Sequence, residues 1–197
     1  MSAIELFGTG PGPDPVHVDG LRILTLPGLL TAEHCARLRD WTAAHTWEEN
    51  APINGAGGFV TRTDVRNNDR LIVDDPAWAE ALWDRVRHVF PHANDHPPIG
   101  LNERFRFYRY RPGQYFHAHM DGWYQRPGTH IRSVYTLMLY LSGVEAGGHT
   151  RFYDADVGVI PEEGMACAFV HAQLHAGEPV ERGQKWVLRT DVMYDLA

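Results

Sequence analysis

Cysteines, basic runs and long apolar stretches are all scarce in this sequence. Only Cys35 and Cys167 occur among the 197 residues, and two scattered cysteines in a chain of this size indicate reduced, buried thiols in a cytoplasmic protein. The first residues lack a basic start followed by an apolar run, so we expect no secretory signal. No stretch of about 18 apolar residues is present, so we expect no membrane span.

The balance of charges argues against a nucleic-acid partner. The sequence has 18 basic and 25 acidic residues, a formal net charge of −7, and no basic tail or run that would follow a phosphate backbone. What is abundant is hydrophobic residues, at 44% of the chain, and histidine, with twelve copies. The length and the apolar content predict one domain over residues 1–197, and the histidines make a metal site more probable.

The composition and the pattern of predicted elements divide this domain into three parts. Residues 1–20 are rich in glycine and proline and predict a flexible N-terminal segment. Residues 21–98 predict a support region dominated by helices, and residues 99–197 predict a catalytic core made of strands. Helices that come first and strands that follow are typical of the α+β class, with the helices buttressing one face of a sheet.

Two helices and one strand are predicted in the support region. Residues 21–26 alternate well enough for a strand before Pro27 and Gly28 end it. Thr31 is a suitable N-cap for a first helix. A second helix is predicted over 76–90, because Pro76 suits a first turn and the apolar residues after it recur on one face.

The core region reads as a series of short strands separated by glycine- and proline-containing turns. Many short strands separated by such turns are typical of a jelly roll, also called a double-stranded β-helix. The predicted strands cover residues 104–110, 114–120, 133–141, 149–153, 165–172 and 185–194.

A metal site is predicted where His119 and Asp121 lie two residues apart on one of these strands. Residues i and i+2 of a strand point to the same face, so an imidazole and a carboxylate would lie side by side. His175, on a later strand, would complete the set. Two imidazoles and one carboxylate with open coordination positions are the usual ligands of non-haem Fe(II).

Two other histidines compete for places in this set. His117 shares the predicted strand face with His119, and the pair resembles the metal motif of cupins, although the glutamate that such a motif needs is absent. His171 lies four residues before His175 on the same predicted face and is an alternative third ligand. The residues alone leave both alternatives open.

A cation near the distal histidine predicts an anionic co-substrate. Residues 174–189 suggest a hairpin in which His175 precedes the turn and Lys185, Val187 and Arg189 share a face of the return strand. A 2-oxo acid chelates iron through its keto-acid end, and its far carboxylate needs a fixed positive partner. Lys185 is the first candidate for that partner. Arg189 has three alternative roles: it is the second candidate for that partner, it could bind an acidic group of the substrate, or it could pair with a carboxylate such as Asp191 or Asp121.

Candidate substrate-binding residues lie in two places. The segment 63–70 contains Asn68 and Arg70, which would recognise a carboxylate or an amide at the mouth of the cavity, although a solvated turn explains the composition equally. Arg106 is expected to face the cavity if Tyr110 does, and it would then need a protein carboxylate or an anionic substrate as its partner. Residues 121–132 suit either a mobile lid or a plain hairpin loop.

Read together, the motifs of the second half resemble the prolyl 4-hydroxylase-like branch of the Fe(II)/2-oxoglutarate-dependent oxygenases. They occur in the order of that family and with its spacing, from Tyr110 to Trp186. The matching residues are Tyr110-x-x-Gly113-x-Tyr115, His119-x-Asp121, Arg132 through Thr136 to Tyr140-Leu141, Gly147-Gly148-x-Thr150-x-Phe152, Pro161-x-x-Gly164 to Phe169, and His175-x-x-x-Pro179-Val180-x-x-Gly183-x-Lys185-Trp186.

This resemblance implies the jelly-roll fold, Fe(II) as the metal, 2-oxoglutarate and O2 as co-substrates, and release of succinate and CO2. It assigns iron to His119, Asp121 and His175. It assigns the far carboxylate of 2-oxoglutarate to Lys185. Tyr110 and Tyr140 would contribute hydrogen bonds to that carboxylate, and Thr136 is a further candidate. Arg189, two strand steps beyond Lys185, departs from the family pattern.

The leading hypothesis is therefore a hydroxylase that acts on a C–H bond of a small molecule or a peptide. One alternative is oxidative demethylation of nucleic acid by the same chemistry, which the acidic charge balance disfavours. Another is a binding module that keeps the jelly roll without catalysis, which the complete ligand set disfavours. No oligomeric state is predicted.

Overall fold

The structure, a computed structural model, describes residues 1–55 and 58–197. Its helices are α1 (Ala3–Phe7), α2 (Ala32–Trp41) and α3 (Pro76–Val86), with a short 3-10 turn at Thr42–Ala44. The strands of the first half are β1 (Val16–Asp19), β2 (Ile23–Leu26), β3 (Ile53–Gly55), β4 (Gly58–Val60), β5 (Asp69–Asp74) and β6 (Pro98–Leu101). Those of the second half are β7 (Arg104–Tyr110), β8 (Phe116–His119), β9 (Ile131–Tyr140), β10 (Ala146–Gly147), β11 (Thr150–Phe152), β12 (Val157–Val159), β13 (Ala166–Val170), β14 (His175–Gly177), β15 (Val180–Arg182) and β16 (Lys185–Asp195).

Two antiparallel sheets form the core of the molecule. The large sheet has the order β1-β2-β13-β9-β16-β7-β5, with β6 paired to the far end of β16. The small sheet has the order β12-β11-β14-β8. Side chains from both sheets, including Tyr140 and Val187 of the large one and Phe152 of the small one, form one buried cluster. This is the predicted jelly roll, with helices on one side.

The long strand β16 divides its side chains between two environments. Leu188 and Val192 are fully buried in the cluster that joins the large sheet to the helices. The intervening residues, including Val187 and Arg189, point toward the small sheet. Because the side-chain period of a strand is two, one strand supplies both an apolar face for the helices and a polar face for the space between the sheets.

The two predicted helices are present. The side chain of Thr31 accepts a hydrogen bond from the backbone of His34 and caps α2, as expected. Helix α3 begins at Pro76, with the side chain of Asp75 accepting from the Trp78 backbone. It ends at Val86, four residues before the end that we predicted.

The N-terminal segment differs from the flexible stretch predicted over 1–20. Helix α1 and strand β1 lie there, and the side chains of Leu6 and Phe7 are fully buried. The ring of Phe7 contacts Trp78 of α3 and Phe105 of β7 at centroid distances of 5.6 and 6.3 Å. Glycine and proline correctly indicate the turns, but the short apolar elements between them depend on tertiary contacts that no local pattern reports.

The support region also contains more strands than we predicted. Strand β5 pairs along its whole length with β7, from Asp69 opposite Arg109 to Asp74 opposite Arg104. It therefore forms an edge of the large sheet. Residues 21–98 therefore contain strands as well as helices, and the prediction of a region dominated by helices is only partly correct.

The hairpin predicted around His175 and Lys185 is wrong. Strand β14 pairs with β8 and β11 in the small sheet, whereas β16 pairs with β7, β9 and β6 in the large sheet. Between them the chain crosses from one sheet to the other. His175 and Lys185 consequently face each other across the space between the sheets, because each projects from its own sheet into that space.

Cys35 and Cys167 are both free and buried, as the sequence predicts. No helix in the described part of the chain is long and apolar enough to cross a membrane.

Candidate active site

His119, Asp121 and His175 converge at one point between the two sheets. In the antiparallel pair β8–β14, His119 lies directly opposite His175, and Asp121 follows just after β8 ends. The Nε2 atom of His119 lies 3.7 Å from Oδ1 of Asp121, and Nε2 of His175 lies 3.8 Å from Oδ2. One potential ligand atom from each residue lies within 4.8 Å of the other two. The predicted set is thus assembled.

A bulge in β8 excludes His117 from this group. The register shifts between Phe116 and His119, so that the four residues of β8 lie opposite only three residues of β14. The ring of Phe116 therefore stacks on that of His119 at a centroid distance of 3.6 Å, although the two are three residues apart. His117 turns outward and is exposed. An extra residue in one strand reverses the alternation of faces, which the sequence did not reveal.

His171, the other alternative, is occupied by hydrogen bonds. Its Nδ1 contacts Oγ1 of Thr136 at 3.1 Å, and its Nε2 contacts Oγ of Ser133 at 2.9 Å. Both ring nitrogens are used, and the side chain is buried. His171 is therefore not in the group of potential ligands, and it acts as a buried hydrogen-bonding residue behind Thr136.

The two imidazoles of the site have the tautomer that metal binding requires. Nδ1 of His119 lies 2.8 Å from the carbonyl oxygen of His117, and Nδ1 of His175 lies 2.9 Å from that of Gln173. A carbonyl can only accept, so each Nδ1 carries the proton and each Nε2 has a free lone pair. Burial lowers the pKa of His119 to about 4 and also lowers the pKa of His175. Both rings are neutral near pH 7.

Asp121 is held as a carboxylate on both of its oxygens. Nη1 of Arg189 lies 2.9 Å from Oδ1, and the hydroxyl of Thr136 donates to Oδ2 at 2.5 Å. Burial alone would raise the pKa of Asp121, but the charge of Arg189 and the nearby histidines hold it well below its usual range. Nη2 of Arg189 also contacts Asp191 at 3.1 Å.

These contacts change the roles expected for two residues. Thr136 and Arg189 were candidates for binding 2-oxoglutarate, but both are engaged with Asp121. The third alternative for Arg189, pairing with a protein carboxylate, is the one that the structure contains. Strand pairing explains the coupling, because Thr136 lies opposite Asp191 in the β9–β16 register.

Lys185 lies beyond the three converging side chains, in what we call the inner cavity. This space is also lined by Tyr110, Thr150 and Gly177. Lys185 is the single lysine of the sequence and is only 3% exposed. Within the described residues, its Nζ forms hydrogen bonds to neutral oxygens only, at 2.7 Å to the Gly148 carbonyl and 3.4 Å to the Thr150 hydroxyl. Burial lowers its pKa to about 7.

Two tyrosines stand beside this lysine, as predicted. Their ring centroids both lie 5.5 Å from Nζ of Lys185. The hydroxyl of Tyr140 shares a 2.7 Å hydrogen bond with Thr150, and burial raises the pKa of Tyr110 to about 12. Thr150 is a residue that sequence reasoning quoted within a motif but did not assign; its signal was its place in the Gly-Gly-x-Thr pattern.

An outer cavity of about 500 Å³ opens on the other side of the three side chains. It shares Tyr108, Phe116, His119, Asp121 and Arg189 with the inner cavity. The further residues that distinguish it include Arg66, Arg70, Arg106, Trp123, Tyr124 and Asp191.

The substrate candidates have different positions around the outer cavity. Arg106 faces it, as predicted from Tyr110, and its partner is the protein carboxylate of Asp191, 3.3 Å away. Arg70 also lines it and pairs with Glu48 at 2.7 Å. Asn68 is fully buried behind the wall rather than in it, where its Oδ1 accepts from Nε of Arg66 at 2.7 Å.

Only the first part of segment 63–70 is the solvated turn that its composition equally suggested, since residues 63–65 form a turn in which Thr63 and Asp64 are exposed. In the second part, Arg66, Asn68, Asp69 and Arg70 are at most 8% exposed. Arg66 forms an isolated bridge with Phe116 of β8. Sequence reasoning noted this segment but missed Arg66 as a cavity residue, because nothing in the local pattern indicates which guanidinium turns inward.

The donor set fits a ferrous ion. Two neutral Nε2 atoms and one carboxylate are the ligand types of a non-haem Fe(II) site. The separations of 3.7 and 3.8 Å between each Nε2 and the carboxylate are short enough for all three side chains to bind one metal ion. The hydrogen bonds to each Nδ1 and to both oxygens of Asp121 fix the orientation of the ligands, as surrounding residues do in metalloproteins.

Comparison with known proteins gives the same result. The model of the 2OG-Fe(II) oxygenase superfamily matches residues 105–190. Prolyl 4-hydroxylase 13 of Arabidopsis thaliana is 32% identical over 193 residues, which cover 84% of this chain and 69% of that protein. A PKHD-type hydroxylase of Paracoccus denitrificans is 28% identical over 174 residues, covering 83% and 74%. A putative prolyl 4-hydroxylase of Acanthamoeba polyphaga mimivirus is 29% identical over 148 residues, covering 64% and 58%.

Solved structures share the fold at low sequence identity. A viral collagen prolyl hydroxylase from Paramecium bursaria Chlorella virus-1, solved with 2-oxoglutarate, has a TM-score of 0.61 and 20% identity, covering 91% of this chain and 99% of that one. A Pseudomonas putida prolyl 4-hydroxylase has a TM-score of 0.61 and 17% identity, covering 92% and 96%. With the ligand set, these relatives lead to one conclusion: the chain belongs to the 2OG-Fe(II) oxygenase superfamily, in its prolyl 4-hydroxylase-like branch.

Proposed function

We propose that His119, Asp121 and His175 are the iron ligands of a 2-oxoglutarate-dependent hydroxylase. One observation carries this assignment: both imidazoles donate Nδ1–H to a backbone carbonyl and turn Nε2 toward opposite oxygens of the same carboxylate. A structural salt bridge would not need two neutral rings in the same tautomer. Histidines whose other nitrogen is fixed in this way are typical of metal sites.

We further propose that 2-oxoglutarate occupies the inner cavity, with its far carboxylate on Lys185. The ammonium group is buried and has only neutral acceptors among the described residues. An incoming carboxylate would give it a charge-assisted partner. Arg189 is the less suitable cation, because its guanidinium is already shared between Asp121 and Asp191. Tyr110 and Thr150 line the same cavity, and their hydroxyls would hydrogen-bond the same carboxylate.

When bound by these residues, iron and 2-oxoglutarate would supply the oxidation, in which O2 would give one oxygen atom to succinate and one to a substrate C–H bond, with loss of CO2. The residues of the protein position these partners. Arg189 and Thr136 fix the carboxylate of Asp121, and the rings of the buried Tyr108 and the half-buried Phe116 exclude water from part of the cavity wall. Fixed geometry and a dry cavity are the protein's usual contribution in such enzymes.

The substrate, a small molecule or a peptide, would enter from the outer cavity. Its volume of about 500 Å³ lies in the range of small-ligand pockets. One structural neighbour, a prolyl hydroxylase from Trichoplax adhaerens with a TM-score of 0.64 and 12% identity, was solved with a peptide. We propose no nucleic-acid substrate, since the net charge is −7; tight, salt-sensitive binding of DNA or RNA would contradict this.

We also propose that the protein acts in the cytoplasm. The two free, buried thiols support this proposal, because disulfides persist mainly in oxidising compartments. Fractionation of cells that express the natural protein tests it, and recovery from an extracellular or envelope fraction would contradict it.

Succinate formation by the purified protein tests the proposed function. With Fe(II), 2-oxoglutarate and O2, the wild-type protein should release succinate, and the His119→Ala and His175→Ala variants should lose both bound iron and turnover. His117→Ala is the matched control, because His117 lies on the same strand but is exposed, and it should behave like wild type. Iron content unchanged in both ligand variants would contradict the assignment.

A further inference from the structure

Four arginines line the outer cavity, and three of them have a carboxylate of the protein as partner. Arg70 pairs with Glu48, Arg106 with Asp191, and Arg189 with both Asp121 and Asp191. The fourth, Arg66, forms no ion pair with any residue that the structure describes; the one hydrogen bond of its side chain to a described residue goes from Nε to the neutral amide oxygen of Asn68.

Arg66 is nevertheless deeply buried and held in a fixed orientation. It is 4% exposed. Its guanidinium carbon lies 4.4 Å from the ring centroid of Tyr108 and 4.6 Å from that of Phe116. Its Nη2 atom is buried without a hydrogen-bond partner. The aromatic rings and Asn68 therefore position a charged, flat donor at the cavity wall without neutralising it.

A buried guanidinium without an anion is unfavourable, because an arginine stays protonated and its charge must be solvated or paired. The two aspartates of the cavity wall are not available for this purpose. Asp121 is held by Arg189 and Thr136, and Asp191 by Arg106 and Arg189. An anion that pairs with Arg66 must therefore come from outside the described wall.

We propose that the substrate presents a carboxylate that binds to Arg66 in the outer cavity. This inference rests on the proposed function, since it names the chemistry of the molecule that is hydroxylated. The 2-oxoglutarate carboxylate is not the partner, because Lys185 lines the inner cavity and Arg66 does not. Planar guanidinium groups bind carboxylates through two parallel hydrogen bonds, which would also orient the substrate.

The position of Arg66 also limits the distance between the carboxylate of the substrate and the C–H bond that is hydroxylated. The ring of Phe116 contacts both Arg66 and the imidazole of His119, so the carboxylate site lies one aromatic ring away from an iron ligand. The C–H bond to be hydroxylated is therefore only a few bonds from the carboxylate. The rest of the substrate would lie against Met120 and Trp123, which are 62% and 60% exposed at the mouth.

Calorimetry with matched pairs of carboxylates and amides tests this proposal. The protein is loaded with Zn(II) and saturated with N-oxalylglycine, so that the inner cavity is filled. The probes are N-acetyl-L-proline, 3-phenylpropionate and N-acetyl-L-phenylalanine, each with its primary amide. A capped Gly-Asp-Gly peptide and its Gly-Asn-Gly counterpart test whether the carboxylate can come from a peptide side chain instead of a small acid.

The carboxylates should bind wild-type protein more tightly than their amides. Arg66→Gln should weaken carboxylate binding by roughly ten- to a hundredfold and leave amide binding unchanged, and Arg66→Lys should restore part of the loss. Arg62→Gln is the control, because Arg62 is in the same segment but is exposed and paired with Asp64. Zinc content and N-oxalylglycine affinity should be the same in all variants, which also shows that they are folded.

Three outcomes would overturn the proposal: amides that bind as tightly as carboxylates, carboxylate affinities that survive Arg66→Gln, or no binding of any carboxylate to wild-type protein at millimolar concentration. Each of these leaves N-oxalylglycine and metal binding intact. Loss of N-oxalylglycine binding or of metal binding would instead contradict the proposed function. Failure of the carboxylate proposal is therefore distinguishable from failure of the proposed function.

Discussion

The inner and outer cavities share His119, Asp121 and Arg189 but arrange their charges differently. Besides Arg189, the inner cavity has one cation, Lys185, whose Nζ contacts only neutral hydroxyl and carbonyl oxygens among the described residues. The outer cavity has four arginines, and protein carboxylates pair with three of them. The inner side is suited to one fixed ligand, whereas the outer side has a network of charges in which Arg66, alone among the four arginines, has no ion pair with a described residue.

The choice of cation also differs between the two sides. A lysine loses its charge readily when buried, and the pKa of Lys185 is lowered to about 7. An arginine keeps its charge in any protein environment; for Arg189, burial opposes the charge, but Asp121 and Asp191 raise the pKa above its usual value. Binding in the inner cavity should therefore depend on pH, whereas the charges of the outer cavity should not.

Removing the charge at the point where the cavities meet should have the largest effect. Asp121→Asn keeps the shape but removes the ligand charge and the partner of Arg189. Residues that only orient a ligand contribute roughly ten- to a hundredfold to metal affinity, so the loss of a charged ligand should lower iron affinity by roughly a hundredfold or more, and turnover with it. Iron titration followed by succinate formation checks this. Turnover near that of wild type would remove Asp121 from the ligand set.

Removing the inner cation should affect one co-substrate only. Lys185→Met loses a charge-assisted hydrogen bond worth about 1.5–3 kcal/mol, so the KM for 2-oxoglutarate should rise by roughly ten- to 150-fold with iron affinity nearly unchanged. Lys185→Arg should recover part of the loss. Steady-state kinetics at varied 2-oxoglutarate checks this, with Arg66→Gln as the control. An unchanged KM would reassign the carboxylate to another cation.

Removing the arginine between the two cavities should show the opposite pattern. Arg189→Gln leaves Asp121 with Thr136 as its remaining hydrogen-bond donor, and residues that hold a metal ligand usually contribute roughly ten- to a hundredfold to metal affinity. We expect weaker iron binding and a KM for 2-oxoglutarate close to that of wild type once iron is saturating. A large rise in that KM, with iron affinity retained, would show that Arg189 binds the co-substrate.

The pH dependence of co-substrate binding should be the smallest effect. Because the charged form of Lys185 binds the carboxylate and its pKa is about 7, affinity should be constant below pH 7 and fall by up to about tenfold per unit above it. Protein labelled with ¹⁵N-lysine should give a single side-chain resonance, since the chain has one lysine. That resonance should titrate near pH 7 and move to higher pH with 2-oxoglutarate. Titration near the ordinary lysine value without ligand would contradict the account.

Residues with a regular strand environment were the ones that the sequence predicted correctly. Lys185, Val187 and Arg189 share a face of β16, as the two-residue period requires. His119 and Asp121 also converge, although Asp121 follows the end of the bulged strand β8. The motif order that carries the family resemblance extended this to the jelly roll. The apolar stripe of α3 and the cap at Thr31 follow from equally local rules.

The sequence-based predictions that were wrong concern features that depend on the tertiary structure. The bulge that turns His117 outward depends on how β8 pairs with β14. The crossing between sheets that separates His175 from Lys185 replaces a hairpin that local turn signals favoured. The inward position of Arg66 depends on the rings of Tyr108 and Phe116, which are distant from it in sequence. No local sequence pattern indicates any of these three features.

A crystal structure of the protein with Mn(II) and 2-oxoglutarate, prepared without O2, tests the central claim most directly. The account predicts one metal ion bound by Nε2 of His119, Nε2 of His175 and a carboxylate oxygen of Asp121, with the far carboxylate of 2-oxoglutarate on Nζ of Lys185. A metal ion held by other residues, or a co-substrate carboxylate that lies on Arg66 or Arg189, would contradict it.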